Sequence, residues 1–259
     1  MKLIITSGGG ITSCLSVRLH DFCNHPSSLK ITTIDSTQQF SFYTDWYKNT
    51  TGDQYYKNIA SFVFSPYGSN KIEEKDLVNF NHGWQYGWYD DIPLEKTSIL
   101  AAKVCKLHPS IIKRSLEISD LFSIKDRATI IYRGNDKSKE IPNVPYKEIL
   151  KVAQETGFKK FYIQTDDQNF LEYMIQNLED VVYNDNIPRI ASNVNNYVVS
   201  KDLVSFITEF LASLYACSKY APAVVTTTGN IGLWASLFRG KLEGIYQYHN
   251  LHKTYRKLA

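Results

Sequence analysis

The sequence predicts an α/β protein of two Rossmann-like lobes, each a parallel sheet flanked by helices, and three observations predict it. The chain opens as strand, glycine turn, helix, strand. Its second half alternates short apolar runs with helical stretches of about 10 to 18 residues, the pattern of a doubly wound parallel sheet. Its composition is that of a packed globular protein, with 43% hydrophobic and 21% charged residues, which argues against disorder.

The elements follow in order. Lys2–Thr6 is a β-branched apolar run, followed by Ser7-Gly8-Gly9-Gly10 and a helix through Phe22 with Ile11, Leu15, Leu19 and Phe22 at helical spacing. Leu29–Ile34 reads as a second strand, which completes one βαβ unit. Residues 35–95 are aromatic-rich and less regular, with a strand expected near Ser61–Phe64. Helices are expected over Pro93–Lys106 and Pro109–Ile118. In the second half, strands are expected at Ala128–Tyr132, Lys160–Gln164, Val181–Tyr183, Ala223–Thr227 and Glu243–Tyr246. Helices are expected at Tyr146–Thr156, Gln168–Asn177, Lys201–Lys219 and Ile231–Arg239. The shift in texture puts a boundary near residues 95–110, dividing the chain into a trimmed lobe, 1–105, and a second lobe, 106–259.

Charge and cysteine usage narrow the function classes. A net charge of +3 is too mild to point to nucleic acid. Cys14, Cys23, Cys105 and Cys217 form no CxxC pair, which fits reduced thiols better than a disulfide framework or a zinc site. The opening MKLIITSGGG reads as a first strand, not a signal peptide, and no stretch reaches the roughly 20 apolar residues of a membrane span. A cytoplasmic location is expected, as suits a bacterial or viral enzyme.

In an open parallel sheet ligands bind at the carboxyl ends of the strands. Four such ends carry polar or glycine chemistry here. Gly8, Gly9 and Gly10 allow a backbone to approach a ligand closely, and the helix behind them offers amide donors to an anion, although a plain tight turn would use the same residues. Arg133-Gly134-Asn135-Asp136-Lys137, with Glu140 beyond, suits phosphate groups or a charged surface turn. Asp166 and Asp167 suit a base edge, a ribose, a metal or a helix cap, the cap position falling at about Asp167 or Gln168. Thr226-Thr227-Thr228-Gly229-Asn230 suits a diphosphate cradle or ordinary capping by Thr228 or Asn230. The segment Trp84–Tyr89, with Trp84, Tyr86 and Trp88, is either a surface on which a sugar acceptor stacks or core between the lobes.

The stretches IYRGNDKSKE, FYIQTDDQNFLEYM and VVTTTGNIGLWASLFRG, in that order, resemble the three-motif signature of the fucosyltransferase superfamily, whose members are two-lobed GT-B glycosyltransferases. The opening GGGITSCLSVRLHDF looks like that family's first loop and helix, so the resemblance covers about two-thirds of the chain. It implies an inverting transfer of a sugar, fucose, from GDP-fucose to a glycan hydroxyl, with no cofactor and no metal. Carried over by position, it implies that Arg133 holds the β-phosphate, that Asp136 and Lys137 are the motif's acid–base pair, and that Asp166 or Asp167 accepts from guanine. It further implies that Thr227, Thr228, Gly229 and Asn230 donate to the pyrophosphate and that Glu140 lies within one residue of the general base. Ile131 stands where the motif has histidine and Gly134 where it has a second arginine, departures that bear on which donor sugar is used. Acceptor, linkage and oligomeric state are not written in these motifs. Three other readings stay open: a non-catalytic nucleotide- or sugar-binding protein, a glycosyltransferase using another nucleotide sugar, including a metal-dependent one in which Asp90 and Asp91 or Asp166 and Asp167 hold the ion, and a methyltransferase-type enzyme with Asp35 on a ribose.

Overall fold

The computed structural model describes residues 1–51, 58–68, 72–134, 142–190 and 202–259. Two sheets organise the chain. In the smaller, β1 (Lys2–Ile4) runs parallel to β2 (Thr33–Asp35), with Lys2 opposite Thr33 and Ile4 opposite Asp35. Helix α1 (Ile11–Cys23) connects them. The second strand begins later than its apolar run suggests. Ser28–Lys30 instead form a 3₁₀ turn, the Lys30 amide bonding back to Ser27 and Leu29 left 47% exposed.

Beyond β2 come α2 (Ser41–Thr51) and a single turn, α3 (Ala60–Val63), where a strand was expected. Ala60 and Val63, three apart, are buried while Phe62 points out, and the Asn58 side chain accepts from the Ser61 amide. Helical burial and the Asn58 hydrogen bond override the strand preference of Phe62, Val63 and Phe64. Two 3₁₀ turns, His82–Tyr86 and Tyr89–Asp91, lead to α4 (Leu94–Val104) and α5 (Pro109–Leu121).

The larger sheet contains β3 (Ala128–Tyr132), β4 (Lys160–Thr165), β5 (Asp180–Tyr183), β6 (Val224–Thr227), β7 (Ile245–His249) and β8 (Thr254–Lys257), in the order β5-β4-β3-β6-β7-β8. All pairings are parallel except β7 with the edge strand β8. On one face, α6 (Tyr146–Glu155) and α7 (Gln168–Asn177) close a core around Ile130, Tyr132, Phe161 and Phe170. On the other lie α5, α8 (Leu203–Tyr220) and α9 (Asn230–Arg239), whose core takes in Ile131, Tyr162 and Trp234 together with Leu3, Ile5 and Leu15 of the first half. The expected boundary falls in the short link between α4 and α5, yet the apolar core runs unbroken across it.

This topology sets where a ligand belongs. From β3 the chain moves outward through β4 to β5, then returns through α8 to β6 on the opposite side of β3. The order therefore reverses between β3 and β6, and the crevice at a switch point opens at the carboxyl ends of the two flanking strands. Those ends are Tyr132 and Thr227. Among the described residues no helix is long and apolar enough to cross a membrane.

Candidate functional site

At the end of β3, Arg133 and Gly134 leave the sheet beside the end of β4. Asp166 Oδ1 accepts from the Gly134 amide at 3.0 Å, and its Oδ2 lies 3.7 Å from Arg133 Nε. Asn143 Nδ2 donates to the Gly134 carbonyl at 2.7 Å, so both polar groups of that residue are anchored. Only glycine fits there, because a Cβ would sit 2.5 Å from Asp167 Oδ2 and 2.7 Å from Tyr132 Cε1. The departure from a second arginine thus has a local steric reason.

The two neighbouring aspartates do different work. Asp167 is the N-cap of α7, its Oδ1 accepting from the Phe170 amide at 3.1 Å while Oδ2 accepts from the Tyr146 hydroxyl at 2.7 Å. Burial, then that hydrogen bond, pushes the Tyr146 phenol well above its ordinary range and keeps it a donor. Asp166 instead lines a small cavity, about 10 Å³, with Tyr132, Arg133, Ile187, Phe210 and Ile231. That volume suits about one water, so a larger ligand would rest at its mouth. The cavity joins the end of β3 to the first turn of α9, the two sides of the switch point.

The turn before α9 is held by partners the sequence reading missed. Gly229 adopts φ +134°, a glycine-favouring conformation, and donates its amide to the Gln85 carbonyl at 2.7 Å. Thr228 Oγ1 donates to Asn250 Oδ1 at 2.6 Å. The Asn230 side chain accepts from Ser16 and donates to Ser13, both on α1. The buried Tyr89 hydroxyl lies 3.1 Å from the carbonyls of both Thr227 and Gly229. The polar side chains of Thr228 and Asn230 are thus engaged within the protein. The first turn of α9 contributes the amides of Asn230, Ile231 and Gly232. They lack intrahelical acceptors, and no side chain caps the helix.

The opening loop converges on this turn. Helix α1 also starts from a glycine without a side-chain cap, and Ser13 in its first turn touches Asn230. Gly8 passes so close to the chain after β2 that a Cβ would sit 2.5 Å from the Gln39 carbonyl oxygen, while Gly9 and Gly10 face Ser13. Arg133, Asp166, the glycine loop and the 227–230 turn therefore gather along one edge of the fold. The polar pair Ser13 and Ser16, three apart on α1, was the available signal for the α1–α9 seam.

Asp136, Lys137 and Glu140 lie outside the described residues. In the aromatic segment, Trp84 packs edge-on against Phe80 and Tyr86 is 38% exposed. Trp88 is buried, with the Arg256 guanidinium 4.2 Å over its ring and His252 stacked at 6.4 Å, so that ring serves as core. The four cysteines are free thiols, and burial pushes those of Cys14, Cys23 and Cys105 up to about 12, leaving them protonated and unreactive. Among the described residues no group of three or more metal-ligating side chains comes together.

No protein-family model matches the chain, and no curated protein matches it in sequence. Among solved structures it is similar to the crystal structure of NodZ alpha-1,6-fucosyltransferase soaked with GDP-fucose. The TM-score is 0.47 and the identity 11%, over 100% of this chain and 98% of that one. A likeness at that level bears on neither substrate nor mechanism.

Proposed function

We propose that the chain is an inverting glycosyltransferase that moves a sugar, fucose, from a GDP-sugar to a glycan hydroxyl. One observation carries the reading: Arg133 and the first turn of α9 line the same cavity at the sheet's switch point. A guanidinium and an uncapped helix start bordering one cavity are an arrangement suited to a diphosphate. The motif order described above supplies the nucleotide and the sugar.

In the proposed reaction the acceptor oxygen attacks the anomeric carbon as the bond to the β-phosphate oxygen breaks. The acceptor proton passes to a carboxylate, for which Glu140 is the candidate. Negative charge grows on the departing diphosphate, for which Arg133, Lys137 and the amides of Asn230 to Gly232 are the candidate stabilisers. Asp166 holds the Gly134 amide and is the candidate acceptor from the guanine edge, while Asp167 fixes the start of α7. The scheme requires neither metal nor cofactor. The donor belongs with the 106–259 unit. The acceptor lies toward the first, over Tyr86 and Trp84.

The test has two arms. Thermal-shift titration with GDP, UDP, CDP and S-adenosylmethionine should raise the melting temperature with GDP, since a ligand that binds only the folded form stabilises it. Arg133→Ala should lower transfer from GDP-fucose at least about 10²-fold with the fold intact. Stabilisation by S-adenosylmethionine alone, or unchanged transfer in the variant, would remove the assignment. GDP binding with no donor turnover in the native chain would identify a nucleotide-binding protein without catalysis.

A further inference from the structure

Arg18 stands on the apolar face of α1, three residues after Leu15 and four before Phe22, and only 2% of it is exposed. Its Nε donates to the Val104 carbonyl at 2.8 Å, Nη1 donates to Ser36 Oγ at 2.6 Å, and the Phe64 ring lies 4.2 Å beneath the guanidinium carbon. Among the described residues no carboxylate lies within ion-pair distance, and Nη2 makes no hydrogen bond. Isolated buried charge is costly, so arginines in such surroundings are ordinarily matched by an anion.

This guanidinium borders an open cavity of about 440 Å³ that runs along β2 and is lined on its other side by residues between Asn58 and Tyr67 and by His108. Its volume is in the range of small-molecule sites. Among the described residues two other charged groups line it, Lys2 and Asp35, and they pair at 2.8 Å with each other, not with Arg18. Three wall hydroxyls already donate: Ser61 to the Asn58 carbonyl, Thr37 to Asp35 Oδ1, and Ser65 to the Leu107 carbonyl. What each can offer inward is an acceptor lone pair, which complements a ligand rich in hydroxyl donors. The rings of Phe64 and Tyr67 supply apolar wall.

We propose that this cavity is a second binding site, for a sugar carrying a carboxylate or phosphate group that pairs with Arg18. The site shares no lining residue with the Arg133 cavity and does not rest on the transferase reading.

Calorimetric titration of the full chain at low ionic strength with glucuronate, glucose 6-phosphate, inorganic phosphate and glucose tests it. One charged sugar should bind with unit stoichiometry, at least about tenfold more tightly than neutral glucose. Whichever charged sugar binds more tightly separates carboxylate from phosphate. Arg18→Met should weaken that binding at least about tenfold, with Arg18→Lys between the two. Should the Met variant fold poorly, Ser61→Trp, which keeps Arg18 and fills the cavity, should abolish binding equally. Saturating GDP or Arg133→Ala should leave the affinity unchanged, so failure of the transferase reading would be visible separately. Glucose binding as tightly as the charged sugars, heat from none of the four probes, or binding indifferent to both Arg18→Met and Ser61→Trp, overturns the proposal.

Discussion

Every residue of β3, β6 and β7 is buried, whereas in the small sheet formed by β1 and β2 only Leu3 is. The large sheet has helices on both faces and can sustain its own core. The small one shares the core of its neighbour: α1 lies against α9, where Ser16 Oγ accepts from Trp234 Nε1 at 2.8 Å and donates to Asn230 Oδ1 at 2.7 Å. A two-stranded unit buries too little by itself to offset its ordering entropy. The difference teaches that the first unit is kept as an attachment to the second, and that the attachment point is also the edge where the candidate site lies.

Removing the attachment should have the largest effect. Trp234 is fully buried, and Trp234→Ala should cost about 3–5 kcal/mol, with both units melting in one transition. Two separate endotherms, with only one of them displaced, would show that the units fold independently and break the comparison. A smaller effect sharpens it. Gly134→Ala, at the edge of the large sheet, should cost about 1–3 kcal/mol because its methyl group meets Asp167 and Tyr132. Gly10→Ala, at the edge of the small one, should stay within about 0.5 kcal/mol because nothing lies nearer than 3.9 Å to the added carbon. Equal costs in chemical denaturation would contradict a tighter loop on the large sheet.

The smallest expected effect is in the pH dependence. His249, at the end of β7, is held below the ordinary histidine range by burial, then by the nearby His252 and Arg256, against an opposing hydrogen bond to the Tyr86 backbone. Its folded pKa thus lies below its unfolded value of about 6.5. The stability it contributes is full above that pH and is lost as acid carries the solution down through the folded pKa. The melting temperature should fall in that window, by less than Gly134→Ala lowers it at neutral pH, and His249→Asn should flatten the fall. A variant with an unchanged acid limb would assign the titration elsewhere.

The difference between the sheets also governs what could be read in advance. ATIIY and KFYIQ announce themselves because a strand covered on both faces is apolar throughout. TYRK of β8, an exposed edge, carries no such mark and was missed, as was α2. The short strand expected at Ser61–Phe64 became a helical turn because Asn58 and the depth of Val63 outweigh local propensity. Of the neighbours Asp166 and Asp167, the sequence marked only the position of Asp167, beside Gln168, as suited to a cap. The Phe170 amide and the Tyr146 hydroxyl both engage Asp167, and the fold left Asp166 facing the cavity. Trp88 read equally well as a sugar platform or as core until Arg256, from the far end of the chain, settled on its ring.

The amino-acid order alone determined that strands and helices alternate, that the main sheet is parallel, and that polar residues concentrate at the strand ends. Those features follow from short-range periodicity and continuous burial, which are visible within a window of a few residues. The folded chain decided the strand order and its reversal between β3 and β6, the pairing of α1 with α9, and which carboxylate faces the cavity. Each depends on partners distant in sequence, and a local pattern of apolar and polar residues fixes what is buried without fixing against what.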